Sequence, residues 1–265
     1  MTFFEAFIIA IVEGLTEFLP VSSTGHMILT SAVLGLKTSP FLNLYIVAIQ
    51  FGAILSVVFL YWRRFFQSIQ FYIQIAFAII PTVIIAFLLK KYVDQALGNV
   101  FIVGINLLIG GLIMIYLEKY FGQKESENAE LTPLKSTMIG LFQAISIFPG
   151  VSRSAATIYG GMFQGLNRKN AAEFSFFLAV PIMFLATAKD LYDFAKESAV
   201  SISQQEISLL IFGNIIAFIV AGLAIKFFIS YIVKHGFMVF AYYRIVIGIV
   251  VIILYKFFHF SLEML

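Results

Sequence analysis

The sequence predicts an all-α polytopic membrane protein, with six transmembrane helices and two re-entrant helical hairpins arranged as an inverted repeat. Three observations lead there. The 265 residues are 61% hydrophobic and only 12% charged, with a mean hydropathy of +1.00. A soluble domain carries about 25% charged residues, so this chain lacks the polarity to cover a water-facing surface. The apolar residues, 31 Phe among them, are spread along the whole length in runs near the roughly 20 residues that span a bilayer. Two further apolar regions are each interrupted by Pro and a cluster of Ser and Thr.

The spanning runs are residues 41–62, 69–89, 98–117, 170–188, 207–230 and 237–256. Charges or aromatic residues stand at their ends: Trp62-Arg63-Arg64, Lys90-Lys91, Glu118-Lys119, Lys189-Asp190, Lys234 and Lys256. These are the anchors expected at a membrane–water interface. The interrupted regions are residues 2–36 and 136–166. The first contains Glu13, Glu17, Pro20, Ser22, Ser23, Thr24 and His26; the second contains Gln143, Ser146, Pro149, Gly150, Ser152, Arg153, Ser154 and Thr157. Broken helices with polar tips are tolerated at membrane depth only inside protein or beside a wet cavity. Each region therefore reads as a re-entrant hairpin.

The two regions match at a shift of 130 residues. Glu13-Gly14-Leu15-Thr16 falls on Gln143-Ala144-Ile145-Ser146, and Val21-Ser22-Ser23-Thr24 on Val151-Ser152-Arg153-Ser154. Each half, 1–118 and 136–256, is then one hairpin followed by three spans within a single membrane domain. An odd number of spans inverts the second copy, and inverted repeats bring their broken helices to a shared central site.

Several classes are excluded at this stage. The absence of Cys removes disulfide scaffolds, Cys-ligated zinc and thiol catalysis. The net charge of +3 comes from 17 basic and 14 acidic residues scattered over short loops, with no basic cluster for nucleic acid. The first basic residue is Lys37, so the apolar start lacks the positive region of a signal peptide and is expected to be structural. Loop charges orient the chain. Lys37, Lys90, Lys91, Lys189, Lys196 and Lys256 fall on the side of the N-terminus. Arg63, Arg64, Lys119, Lys124, Lys135, Arg168, Lys169 and Lys234 fall on the other. Eight against six favours the second side as cytoplasmic.

The scarce charge inside apolar segments points to chemistry. Glu13 and Glu17 are spaced i,i+4 and share one helix face. Two unpaired carboxylates at that depth are costly, and a divalent cation or a nearby Arg is the natural remedy. Pro20 can occupy the first position of a helix, placing Ser22, Ser23 and Thr24 in or near its first turn. The free backbone N–H groups there favour an anion such as phosphate, beyond simple N-capping. His26 lies three residues beyond Ser23, on the same face. Arg153, among hydroxyls at the second tip, offers bidentate donors to phosphate or an internal ion pair to Glu13 or Glu17. Lys226 and Arg244 are expected to snorkel to the interface. Carboxylates, hydroxyls, an imidazole, a guanidinium and the Gln143 amide form an inventory for phosphoryl transfer on a lipid-linked phosphate or diphosphate. A transporter that binds such a lipid without cutting it is the competing class.

The segments Glu13-Gly-Leu-Thr-Glu17-Phe-Leu-Pro20-Val-Ser-Ser23-Thr-Gly-His26 and Pro149-Gly-Val-Ser-Arg153-Ser-Ala-Ala-Thr157 resemble the two signature motifs of the bacterial undecaprenyl-diphosphate phosphatases, the family associated with bacitracin resistance. Asn167-Arg168 and Ala171-Ala172-Glu173 through Pro181 resemble the stretch after the second motif, with no departure at the motif positions. The resemblance implies hydrolysis of the C55 isoprenyl diphosphate to the monophosphate, recycling the carrier for peptidoglycan. It implies a Mg²⁺ or Ca²⁺ requirement and residence in the bacterial cytoplasmic (inner) membrane. The site would open to the outer face, and a homodimer is an allowed assembly. By motif, Ser23 is the nucleophile, Arg153 clamps the diphosphate with Ser22, Thr24, Ser152, Ser154, Thr157 and Gln143, and Glu13 and Glu17 hold the metal, with Glu17 also able to act as base. His26 activates Ser23, protonates the leaving group, or is itself the nucleophile.

Overall fold

The computed structural model describes residues 1–37, 39–66, 68–97, 99–122, 129–197 and 202–258. Lys124, counted above among the loop charges, lies outside them. Among the described residues there are ten α-helices, one short 3-10 helix at Trp62–Phe66 and no strand. The helices are α1 (Phe3–Thr16), α2 (Ser23–Val33), α3 (Pro40–Leu60), α4 (Ile69–Leu97), α5 (Val100–Phe121), α6 (Pro133–Ile145), α7 (Arg153–Phe163), α8 (Arg168–Glu197), α9 (Gln204–His235) and α10 (Met238–Phe258).

Local sequence accounts for most helix starts. Thr2 and Glu5 close a capping box on α1, and Ser203 and Glu206 close another on α9. Ser39 and Thr132 cap α3 and α6, each followed by Pro at the first helical position, where no N–H is needed. Asn99 caps α5 through its side-chain oxygen. Six helices, α3, α4, α5, α8, α9 and α10, are long and apolar enough to cross a membrane. These are the six expected runs, but several are longer. α4 continues past Lys90 and Lys91, and α8 past Lys189 and Asp190. A charge at an interface ends the apolar stretch without ending the helix. Lys189 bonds Asp193 at 2.6 Å one turn on, which supports the continuation.

The interrupted regions form two pairs of short helices, α1/α2 and α6/α7, of 14, 11, 13 and 11 residues. None reaches the roughly 20 residues of a span. Pro20 does not begin a helix as expected. It lies in the turn, and α2 starts three residues later at Ser23. The chain needs those residues to reverse, and it does so through an unusual backbone. Ser22 and Ser152 have φ of 70° and 72°, the only non-glycine residues with positive φ among those described. They stand 130 residues apart, on the shift that aligns the two motifs. Such conformations cost roughly 1–3 kcal/mol each and persist only where the surroundings enforce them.

Both halves thus run as two short helices and three long ones. α3 and α8 form the centre of the bundle: their spanning windows are 61% and 56% buried, against 22–33% for α4, α5, α9 and α10. α3 packs on α8 and α9, α5 on α10, α1 on α9, and α6 on α4. Gly14 allows the α1–α9 approach, because a Cβ there would lie 2.8 Å from Val220 Cβ and 3.0 Å from the Ala217 carbonyl oxygen. The main core gathers Phe18, Phe176, Phe228 and Phe237 around the first turn, so the turns sit inside packed protein. Peripheral side chains such as Phe59, Phe87 and Phe227 are exposed on the outer faces, as a lipid-facing surface requires.

Candidate active site

The two turns meet at a cavity of about 210 Å³, into which the N-terminal ends of α2 and α7 both open. Glu17, Ser22, Ser23, Thr24, Ser152 and Arg153 line it, together with Gln50 of α3, Ser146, the Ile147–Gly150 turn and Met183 of α8. Ser22 makes no side-chain cap on α2, which leaves the first-turn N–H groups of that helix available to a ligand. A larger cavity of about 400 Å³ lies between Arg64, Gln74, Asn170 and Glu173, and is lined by no residue of either hydroxyl-bearing turn.

Glu17 is the hub. One carboxylate oxygen accepts from Arg153 Nη2 at 2.8 Å and the other accepts from Ser23 Oγ at 2.6 Å. A hydroxyl donating to a carboxylate has its lone pairs turned elsewhere, and a base already holds its proton. Among the described residues the Arg153 guanidinium makes one further hydrogen bond, at 3.5 Å to the Ser175 carbonyl, and its side chain is 15% exposed. Most of the guanidinium fork therefore remains for a ligand. The ion pair expected as one use of Arg153 is formed, with Glu17 and not Glu13.

Glu13 is fully buried and lies against the Glu17 carboxylate, and among the described residues no N–H or hydroxyl donor reaches either of its carboxylate oxygens. An orphaned carboxylate in such a place is strongly unfavourable unless a proton or cation joins it. Among the described residues no cluster of three or more His, Asp or Glu could hold a metal alone. The donor set fits a cation of the Mg²⁺ or Ca²⁺ type that takes one or two carboxylates and completes its shell with substrate oxygens and water.

His26 lies outside the cavity lining. Its Nδ1 is 2.8 Å from the Ser22 carbonyl and its Nε2 is 2.7 Å from the Tyr243 hydroxyl, with the two rings stacked. A carbonyl only accepts, so Nδ1 carries the hydrogen and Nε2 accepts from Tyr243. Helical spacing put His26 within reach of Ser23, but the left-handed turn at Ser22 directs the imidazole to the backbone and to α10. Ser154 donates to the Leu19 carbonyl at 2.7 Å, and Thr157 bonds the Arg153 carbonyl and Ser175. Gln143 bonds Thr82 of α4 at 2.9 Å. The fold thus brings Glu17, Ser22, Ser23, Thr24, Ser152 and Arg153 to one cavity, while Glu13, His26, Gln143, Ser154 and Thr157 stand behind it.

One expectation needs correction. Arg244 does not snorkel: it is 0% exposed and its guanidinium binds the carbonyls of Pro20, Val151, Gly150 and Asn106. The neighbouring Tyr242 and Tyr243 suggested an interface, but only Tyr242 is turned fully outward; Tyr243, partly exposed, reaches His26, and Arg244 points inward. Asn106 was likewise overlooked; its amide donates to the Pro149 carbonyl at 2.8 Å. The available signal for both was a strong hydrogen-bonding side chain alone in an apolar span. Lys226 is exposed.

The profile of the bacitracin resistance protein BacA family matches residues 6–250. An undecaprenyl-diphosphatase of Flavobacterium psychrophilum is 50% identical over 259 residues, 98% of each chain. One of Porphyromonas gingivalis is 46% identical over 273 residues, covering 96% of this chain and 97% of its own. One of Aquifex aeolicus is 46% identical over 253 residues, covering 94% and 97%. Similarity of this depth, over nearly the whole length and across both turns, makes this multi-pass membrane chain a member of the bacitracin resistance protein BacA family.

Proposed function

We propose that this chain hydrolyses undecaprenyl diphosphate to undecaprenyl phosphate and inorganic phosphate, recycling the lipid carrier of peptidoglycan synthesis and thereby opposing bacitracin. The names of its relatives support the substrate. The observation that carries the chemistry is the Glu17 carboxylate, shared between the Ser23 hydroxyl and the Arg153 guanidinium.

In this reading the terminal phosphoryl group enters between the N-terminal ends of α2 and α7, and Arg153 extends its free donors to the phosphate oxygens. Ser23 Oγ attacks the terminal phosphorus as Glu17 takes its proton. The bond from phosphorus to the bridging oxygen breaks, and lipid monophosphate leaves with the proton that Glu17 passes to its released oxygen. Water then attacks the phosphoserine, losing a proton to the freed Glu17, which returns it to Ser23 Oγ as the bond from phosphorus to Oγ breaks and inorganic phosphate departs. Backbone N–H groups of both helix starts lie where charge develops. Ser22, Thr24 and Ser152 add hydroxyls at the cavity wall, and Ser154, Thr157 and Gln143 hold the turns behind them. Glu13 and Glu17 would hold a divalent cation, which when bound would neutralise diphosphate charge. The occupied ring nitrogens of His26 favour Ser23 as nucleophile.

The hairpins are re-entrant in this reading, because their helices are too short to cross, and the halves are inverted repeats. The common element order and the paired left-handed serines support that relation. The excess of basic loop residues on the side opposite the N-terminus favours a topology with both termini outside, and the motif resemblance implies an inner-membrane site that opens to that same outer face.

The test is phosphate release from undecaprenyl diphosphate by the purified protein in detergent with Mg²⁺ or Ca²⁺. Release without any membrane gradient, abolished by Ser23→Ala and by Arg153→Ala at normal expression, is the expected result. Near-normal turnover in both variants would overturn the site assignment. Binding of the lipid without release would favour a carrier instead.

A further inference from the structure

Arg244 is a fully buried cation with no carboxylate partner within hydrogen-bonding reach among the described residues; its acceptors are all main-chain carbonyls. Nη1 donates to Pro20 at 3.3 Å and to Val151 at 3.0 Å, so one nitrogen ties the first turn to the second. Nη2 donates to Gly150 at 3.0 Å and to Asn106 of α5 at 3.3 Å. Asn106 in turn holds the Pro149 carbonyl. α10 thus reaches through the protein to fasten both turns at once, two residues before the left-handed Ser22 and at the two residues before the left-handed Ser152.

The surroundings are shaped for it. Gly110 of α5 faces the guanidinium, and a Cβ there would overlap Nη2 outright and lie 2.8 Å from Cζ. Glycine in a helix interior costs about 1 kcal/mol relative to alanine, so the space has been kept at the expense of the helix. Carbonyl acceptors alone would accept a neutral amide. Four of them arranged around one planar, always-charged fork are matched to arginine.

We propose that Arg244 is a positioning residue for the reaction centre, acting through the main chain of both turns. It sets the separation and relative angle of the α2 and α7 N-terminal ends, and with them the distance from Ser23 to a phosphate held by Arg153. The activity readout rests on the phosphatase reading above. Arg244 is not among the residues lining the cavity and its hydrogen bonds go to main-chain carbonyls, so its loss leaves every binding group present but out of register. Misplacement by about 1 Å costs on the order of a hundredfold in rate.

The experiment compares wild type, Arg244→Lys, Arg244→Met and Gly110→Ala in detergent with undecaprenyl diphosphate and Mg²⁺. Rates are normalised to the sites that bind a non-hydrolysable methylene-diphosphonate analogue of the lipid. The expected result is a kcat about a hundredfold lower in both Arg244 variants, with KM changed less than about fivefold. Lysine fails to rescue because it cannot span both turns. Gly110→Ala, which keeps Arg244 but displaces it, lowers kcat in the same way. Wild-type kcat per binding site in Gly110→Ala, or in an Arg244 variant, overturns the proposal, and so does a loss confined to the number of binding sites. If the Arg244 variants do not accumulate, Gly110→Ala decides alone. An inactive wild type would instead refute the phosphatase reading itself, since no variant then has a rate to lose.

Discussion

Replacing Glu17 by Gln isolates the step on which the proposed chemistry turns. The side chain keeps its shape, but its two acceptor oxygens become one oxygen and one NH₂. In the native site both positions accept, one from Arg153 at 2.8 Å and one from Ser23 at 2.6 Å. The charged guanidinium makes the stronger demand, so the remaining oxygen turns to Arg153 and the NH₂ faces Ser23. Ser23 then changes from donor to acceptor and loses its base. General base catalysis contributes about 10²–10⁴-fold, so kcat falls about 10³-fold, roughly 4 kcal/mol of barrier. KM stays level or falls, because Arg153 is no longer held in an ion pair and meets the diphosphate more freely. The assay is steady-state phosphate release in detergent, with Glu17→Asp as a control that keeps the base but shortens it. A kcat within tenfold of wild type would refute the reasoning. So would a raised KM at unchanged kcat, which would reduce Glu17 to a tether for Arg153.

Other outcomes follow from the same geometry. Glu13→Gln should raise the melting temperature in the presence of chelator, since it removes a buried carboxylate with no partner, and should abolish any stabilisation by added Mg²⁺; a variant whose melting still responds to Mg²⁺ places the cation elsewhere. Acid quenching of a reacting mixture should trap an acid-stable phosphoserine at Ser23; an acid-labile phosphoenzyme would return His26 to the nucleophile's role. Tyr243→Phe should lower kcat by less than about tenfold, as it removes a single hydrogen bond to His26; a loss of a thousandfold would mean that Tyr243 takes part in proton transfer. Arg168→Ala breaks the 2.7 Å pair with Glu118 and should destabilise the fold by about 1–3 kcal/mol, with activity per folded molecule unchanged; a selective loss of activity would tie that end of the bundle to the site.

The six spans and the two interrupted regions were legible because hydropathy and Pro–Ser clusters act locally. The carboxylates and Arg153 were legible because charge in an apolar segment is conspicuous, and Ser23 because it stands in a hydroxyl cluster just after Pro20. Other features depend on backbone geometry. Helical spacing alone put His26 beside Ser23, and nothing local announces that Ser22 is left-handed and turns the ring away. Gln143, Ser154 and Thr157 read as ligand groups by type, whereas their nearest partners, Thr82, Leu19 and Ser175, are supplied by packing. Arg244 was misjudged because side-chain length permits snorkelling equally well from either face of a helix. Which face it occupies depends on α5 and on both turns, parts of the chain 93 to 224 residues away.

The cavity between the turns is small. At about 210 Å³ it lies below the roughly 300–1,000 Å³ of pockets that engulf drug-sized ligands. It has room for a diphosphate and none for a tail of 55 carbons, which must remain among the acyl chains while its head is processed. Encounter is then a two-dimensional search within the leaflet, and discrimination among prenyl diphosphates falls to partitioning. The expected consequence is that isoprenyl diphosphates long enough to stay in the bilayer and present the terminal phosphate at the right depth compete as substrates according to their surface density.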